Sequence, residues 1–172
     1  MRRFAMLLVA VTACALAPAA ASAALPRPAS TAIVPGKSIG GVGIGMTVRR
    51  ALAVWGRGSH CTAATIRRSC TWTGSGTQGT ASFSVGFTGK VTGITIAAGH
   101  NERSPVYKGP LQRWKTSRGT HLGVSAAAVV KAYPKAHSSP SGPQLGSGSR
   151  ATTFTKSARR ISQISIGPPL SF

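Results

Sequence analysis

The sequence predicts an α+β protein in which two tandem repeats, each a helix followed by antiparallel strands, pack as one domain. Three observations carry this. Gly41 to Thr47 (Gly-Val-Gly-Ile-Gly-Met-Thr) recurs 78 positions later as Gly119 to Ser125 (Gly-Thr-His-Leu-Gly-Val-Ser). Behind each copy, apolar residues follow helical spacing: Val48, Ala51, Leu52 and Trp55 in the first, Val129, Val130 and Tyr133 in the second. Further on, apolar and polar residues alternate with period two, through Phe83, Val85 and Phe87, then Ile94 and Ile96, and again through Ile164 and Ile166. A single copy would bury its apolar face poorly, so the two copies are expected to pack together.

The chain opens on an export signal. Arg2 and Arg3 precede an apolar run from Ala5 to Ala17, Pro18 ends the run, and Ala21-Ser22-Ala23 offers small residues for cleavage, so residues 1–23 read as a signal peptide. The run is too short to span a bilayer, and no transmembrane segment is expected. Val11-Thr12-Ala13-Cys14 leaves a lipid anchor at Cys14 as the alternative to a freely secreted product. Residues 24–36, rich in Pro and Ala and without period, are expected to be a flexible linker.

Repeat 1 is assigned to residues 37–100. Thr47 is placed as the N-cap of a helix that Gly56 ends, ahead of strands around Trp72, from Ala81 to Phe87 and from Val91 to Ile96. Residues 101–116 form an inter-repeat segment. In repeat 2, residues 117–172, Ser125 caps a helix through Ala132 with Pro134 as its stop. A Ser/Gly/Pro-rich loop from Ser138 to Ser149 then leads to strands around Phe154 and from Ile161 to Ile166.

Charge is the most lopsided property of the chain. Its 172 residues carry 21 Lys plus Arg against one acid, Glu102. Removal of Arg2 and Arg3 with the signal lowers the formal charge from +20 to +18. With no carboxylates to pair these cations, counter-charge must come from salt or from a partner, which makes an anionic cell-envelope component a natural candidate. A single carboxylate also excludes the paired-carboxylate mechanism of glycosidases and any metal site built on several acidic ligands. His60, His121 and His137 follow no ligand spacing, Glu102 beside His100 reads as a solvated loop pair, and the glycines at 40, 41, 43 and 45 lack a phosphate-loop ending. No catalytic residue, cofactor site or metal site is therefore assigned.

Cys61 and Cys70 remain after export, and oxidising surroundings make a disulfide between them the expected pairing. For binding, the candidates are Arg103, Tyr107, Lys108, Arg113, Trp114 and Lys115 in the inter-repeat segment, with Trp72 beside the cysteines. Rings interleaved with cations suit an anionic polymer by stacking and charge neutralisation. The same rings would equally serve to pack the segment across the two repeats.

A Gly-x-Gly-Ile-Gly-Met-Thr entry into a helix, followed by strands, in two copies on an exported chain, resembles the tandem-repeat secreted proteins of the β-lactamase inhibitory protein family. Each repeat also resembles the small lipoprotein of the outer-membrane barrel-assembly machine. The resemblance covers residues 39–99 and 117–167 and rests on Gly43 to Thr47, on His121 to Ser125, and on the disulfide-like Cys61 and Cys70. Two features depart from it: repeat 2 has no cysteine pair, and the acidic surface residues of such inhibitors are missing. What it implies is a non-enzymatic binding or inhibitor-like module engaging a protein or cell-envelope component. A polycationic binder of wall polymer, lipid head groups or nucleic acid is the alternative, with nucleic acid the less favoured partner.

Overall fold

A computed structural model describes residues 24–56, 60–63, 68–102 and 104–168. Residues 1–23, expected to be a signal segment and containing Cys14, and the candidate Arg103 lie outside the described residues. The described residues form fourteen strands and two α-helices. In the first half these are β1 (Ala32–Val34), β2 (Ser38–Ile39), β3 (Val42–Gly43), α1 (Val48–Trp55), β4 (His60–Ala63), β5 (Arg68–Thr73), β6 (Thr80–Val85) and β7 (Val91–Ala97). The connecting segment holds β8 (Gly99–His100), β9 (Pro105–Val106), a 3-10 turn at Pro110–Arg113 and β10 (Lys115–Thr116). The second half holds α2 (Ala126–Ala132), β11 (His137–Ser139), β12 (Gly142–Leu145), β13 (Thr152–Ser157) and β14 (Arg160–Ile166).

The expected α+β class is corrected. The described chain is mostly β, 43% strand with two helices, and not a tandem arrangement of helix-then-strand units. Eight strands from both halves join one antiparallel sheet in the order β11-β12-β13-β14-β7-β6-β5-β4. The junction is β7 against β14, where Ile94 faces Ile166 and Ile96 faces Ile164. An unpaired strand edge leaves a row of backbone donors and acceptors unsatisfied, and edge-to-edge pairing removes that row from both halves at once. Helices of 8 and 7 residues are too short to form a layer of their own.

One face of this sheet carries the core. Phe83, Ile94, Ile96, Phe154, Ile164 and Ile166 are all buried on it. α1 packs there through Trp55, whose ring lies 5.2 Å from that of Trp72 and 6.0 Å from Phe83. α2 packs there through Tyr133, stacked on Phe154 at 6.1 Å. Thus an aromatic residue at the C-terminal end of each helix, Trp55 in α1 and Tyr133 just after α2, packs against a strand phenylalanine. Ser125 caps α2 by accepting from the Ala128 N–H at 3.1 Å, whereas Thr47 starts α1 without a side-chain cap bond.

Each helix entry is also fastened to a hairpin turn. Gly45 N–H donates to the Val91 carbonyl and Val91 N–H to Met46, while in the second half Gly123 N–H donates to Ile161 and Ile161 N–H to Val124. Thr47 forms a bridge with Lys90, and Ser125 forms the corresponding bridge with Arg160.

The leader differs from its expected flexibility. β1 lies within it, pairing parallel with β10 and antiparallel with β2 in a second sheet of order β10-β1-β2-β3. Ile33 is fully buried, and the Gly36 N–H donates to Thr152 Oγ1 at 2.7 Å. A stretch with little local preference is ordered here by long-range pairing. The Ser-rich segment expected as a loop likewise contains β11 and β12. Phe87 departs in the other direction: β6 ends at Val85, and Phe87 sits in the turn at 86% exposure rather than continuing the buried alternation.

Candidate functional site

Helices and core occupy one face of the eight-stranded sheet, so the other face is the broad surface left for a partner. Cross-strand register gives its content directly, because opposed residues share a face. One row crosses all eight strands: His60, Thr71, Ser82, Thr95, Ser165, Thr153, Gln144 and His137. A flanking row runs Thr73, Thr80, Ala97, Gln163 and Thr155, and another runs Thr62, Ser69, Ser84 and Gly93. All of these residues are exposed or half-buried.

None of the three rows contains Lys, Arg, Asp or Glu, on a chain with 21 basic residues. These three rows present hydroxyl, amide and imidazole groups, and Lys135 stands at their β11–β12 end beside His137 and Gln144. Hydroxyl and amide groups donate and accept short hydrogen bonds without carrying a charge. Thr62 and Ser69 already share one, Oγ1 to Oγ at 3.1 Å. A shallow depression of about 560 Å³ opens at the β11–β12 end, where Lys135, His137, Ser139, Gln144 and Leu145 line it.

The disulfide staples the opposite edge. Cys61 and Cys70 are bonded, at directly opposed positions of β4 and β5 with a Cα–Cα distance of 4.0 Å. β4 is the last strand of the sheet, so the bond holds the edge of the open face in register.

The binding candidates from the sequence separate into two groups. Trp72 and Trp114 are buried, 1% and 2% exposed, and belong to one aromatic cluster in which Trp55 contacts both. Neither ring is presented to solvent, so packing across the structure is the role these two take. Lys108, Arg113 and Lys115 are exposed around them. Tyr107 is half-buried, packed where a side chain on Gly123 would stand, 3.2 Å from its Cδ1. Its hydroxyl is buried without a hydrogen-bond partner among the described residues. Burial raises its pKa above the ordinary 10.0, and Arg160 opposes the rise.

The remaining titratable candidates stay apart. His121 lies in the turn before α2, its Nδ1 donating to the Leu122 carbonyl at 2.6 Å. His60 and His137 stand at opposite ends of the long row. Glu102 is exposed in the turn between β8 and β9. Among the described residues no group of three or more His, Cys, Asp or Glu could hold a metal ion, and no helix is long and apolar enough to cross a membrane. The row from His60 to His137 was missed in the sequence. Its alternating Thr and Ser residues were visible, but their alignment across strands is set by pairing between distant segments.

No protein-family model matches the chain, and no curated protein matches it. Among solved structures it is similar to an extracellular protein containing a SCP domain from Bacillus anthracis, at 15% identity and a TM-score of 0.47. That similarity covers 73% of this chain and 44% of the other, so this chain spans less than half of that protein's length. At this level the likeness assigns neither a fold nor an activity. It does not bear on the resemblance to the β-lactamase inhibitory protein family.

Proposed function

We propose that the chain is an exported, non-enzymatic binding module that engages a protein or other polar cell-envelope component through the open face of its eight-stranded sheet. The observation that carries this reading is the row from His60 to His137, uncharged through its six central positions on an otherwise strongly cationic chain. A surface selected only for binding polyanions would carry cations across such an open sheet face. This one offers closely spaced neutral donors and acceptors on a backbone held by strand pairing on both sides, which favours short-range recognition of shape and hydrogen bonding. The disulfide supports an oxidising destination, as does the export signal read from residues 1–23.

The test is a pull-down with the disulfide-intact mature chain against envelope and secreted fractions, at about 0.15 and 0.5 M salt, concentrations at which surface charges are progressively screened. Wild-type protein is compared with Thr95→Arg, which places a long cation at the centre of the row. A partner retained by wild type at the higher salt and lost in the variant, with the thermal midpoint of the variant unchanged, supports the reading. Release of every partner at the higher salt from both proteins overturns it in favour of a purely ionic binder.

A further inference from the structure

Phe87 is the most exposed large apolar side chain of the described residues, and it stands at the tip of the hairpin between β6 and β7. Its turn is tight: Gly89 N–H donates to the Gly86 carbonyl at 3.0 Å, and Gly86 N–H to Lys90 at 2.9 Å. Tips of this kind favour small polar residues. Among the described residues the benzyl ring takes no part in the core, since the buried alternation of β6 ends at Val85.

The surroundings of this tip are cationic. Lys90 closes the turn and bridges Thr47, and the Val48 N–H donates to the Gly89 carbonyl at 3.3 Å, which brings the first turn of α1 with Arg49 and Arg50 against the hairpin. Arg68 faces Val85 across the β5–β6 pair, at the same end of the sheet. Arg49, Arg50, Arg68 and Lys90 are all exposed. Glu102, the one acidic side chain, follows the far end of β7, a strand of seven residues and so about 20 Å long. No carboxylate therefore balances this end among the described residues.

We propose that this end of the molecule is a docking site for an anionic lipid bilayer, with Phe87 inserting into the headgroup and acyl boundary while Arg49, Arg50, Arg68 and Lys90 contact lipid phosphates. Charge complementarity selects the anionic surface, and the ring selects a bilayer over a soluble polyanion. A wall polymer or nucleic acid chain would neutralise the cations and leave the benzyl group in water, whereas a bilayer interface accepts both. This site lies at a sheet end, separate from the row that runs from His60 to His137, so the module would be held at a membrane with its open face still available.

The experiment is sedimentation of the mature, disulfide-intact protein with vesicles of phosphatidylcholine alone or with about one-third phosphatidylglycerol. Each basic residue near an anionic surface is worth on the order of fivefold in partitioning, so binding to the anionic vesicles should exceed that to neutral ones by about 100-fold or more. Phe87→Ala should weaken the anionic-vesicle binding about tenfold through loss of apolar burial, with its thermal midpoint unchanged. Arg49→Glu with Arg50→Glu should weaken it at least as much. In Phe87→Trp, brominated lipids should quench the new indole fluorescence, a readout that soluble polyphosphate cannot produce.

Equal binding by wild type and Phe87→Ala, or no quenching of Phe87→Trp on vesicles that bind it, overturns the proposal and leaves simple ionic adsorption. Self-association of the wild type that Phe87→Ala abolishes, without vesicle binding, also overturns it and assigns the ring to a protein contact. Loss of partner capture in Thr95→Arg without change in vesicle binding would separate this site from the sheet face.

Discussion

The indole Nε1–H of Trp55 donates to the carbonyl of Gly40 at 3.0 Å, a buried bond that ties the last residue of α1 to the turn between β2 and β3. Trp114 approaches the same glycine from the connecting segment, its ring 5.8 Å from that of Trp55. Three stretches far apart in sequence thus meet over a residue without a side chain.

Gly40→Ala should be among the most damaging single substitutions in the chain. A Cβ there would lie 2.4 Å from Trp114 Cζ3 and 3.0 Å from Trp55 Nε1, and the backbone φ of +56° is unfavourable for alanine as well. The expected loss is about 2 to 4 kcal/mol, from steric overlap plus backbone strain. Urea denaturation followed by tryptophan fluorescence measures it, and a midpoint within error of wild type would show that the two rings can move apart.

The two helix caps should respond unequally. Ser125→Ala removes the bond from Ala128 N–H and should cost about 1 kcal/mol. Thr47→Ala removes no such bond, and its helix entry is held instead by the backbone bonds between Gly45, Met46 and Val91. Paired denaturation curves decide this; equal losses would mean that Thr47 caps α1 in solution.

Opening the disulfide should loosen the β4 edge. Cys61→Ala with Cys70→Ala releases a loop of nine residues' separation and should cost about 2 to 3 kcal/mol in the chain-entropy model. The comparison is one of denaturation midpoints for oxidised wild type, reduced wild type and the double variant. The last two should coincide, both below the first.

Tyr107→Phe should be neutral or slightly stabilising at pH 7, because the hydroxyl is buried without a hydrogen-bond partner among the described residues. At high pH the difference should grow. Burial raises the folded pKa of Tyr107 above 10.0, so the folded state holds the phenolic proton more tightly than the unfolded chain. That contribution is fully present below pH 10 and is lost as pH rises through the folded pKa. Thermal midpoints between pH 8 and 11 should therefore fall more steeply for wild type than for Tyr107→Phe, and parallel curves would contradict the burial of this ring.

Local signals were legible in the sequence wherever neighbours along the chain decide the outcome. The helix spacing behind Thr47 and Ser125, the stop at Gly56 and the alternation in β6, β7, β13 and β14 all appear as expected. The alternation was carried one step too far at Phe87, because the hairpin turn leaves the pleat after Val85 and period two no longer applies. Trp72 and Trp114 could not be sorted between interface and core from their positions alone. Their burial depends on Trp55, which reaches both from another element.

Charge, the single carboxylic side chain, the cysteine pair and the local helix and strand preferences are all legible along the chain, since each follows from residue chemistry or from spacing within a few positions. Long-range packing set the join of β7 to β14 edge to edge, the place of β1 beside β10, and the alignment of residues from eight separate strands, five of them Ser or Thr, into one row free of Lys and Arg. The reason lies in the hydrogen-bonding needs of strand edges. Any strand can satisfy them with several partners, and the choice among partners is made only when the apolar faces of both halves close on a common core.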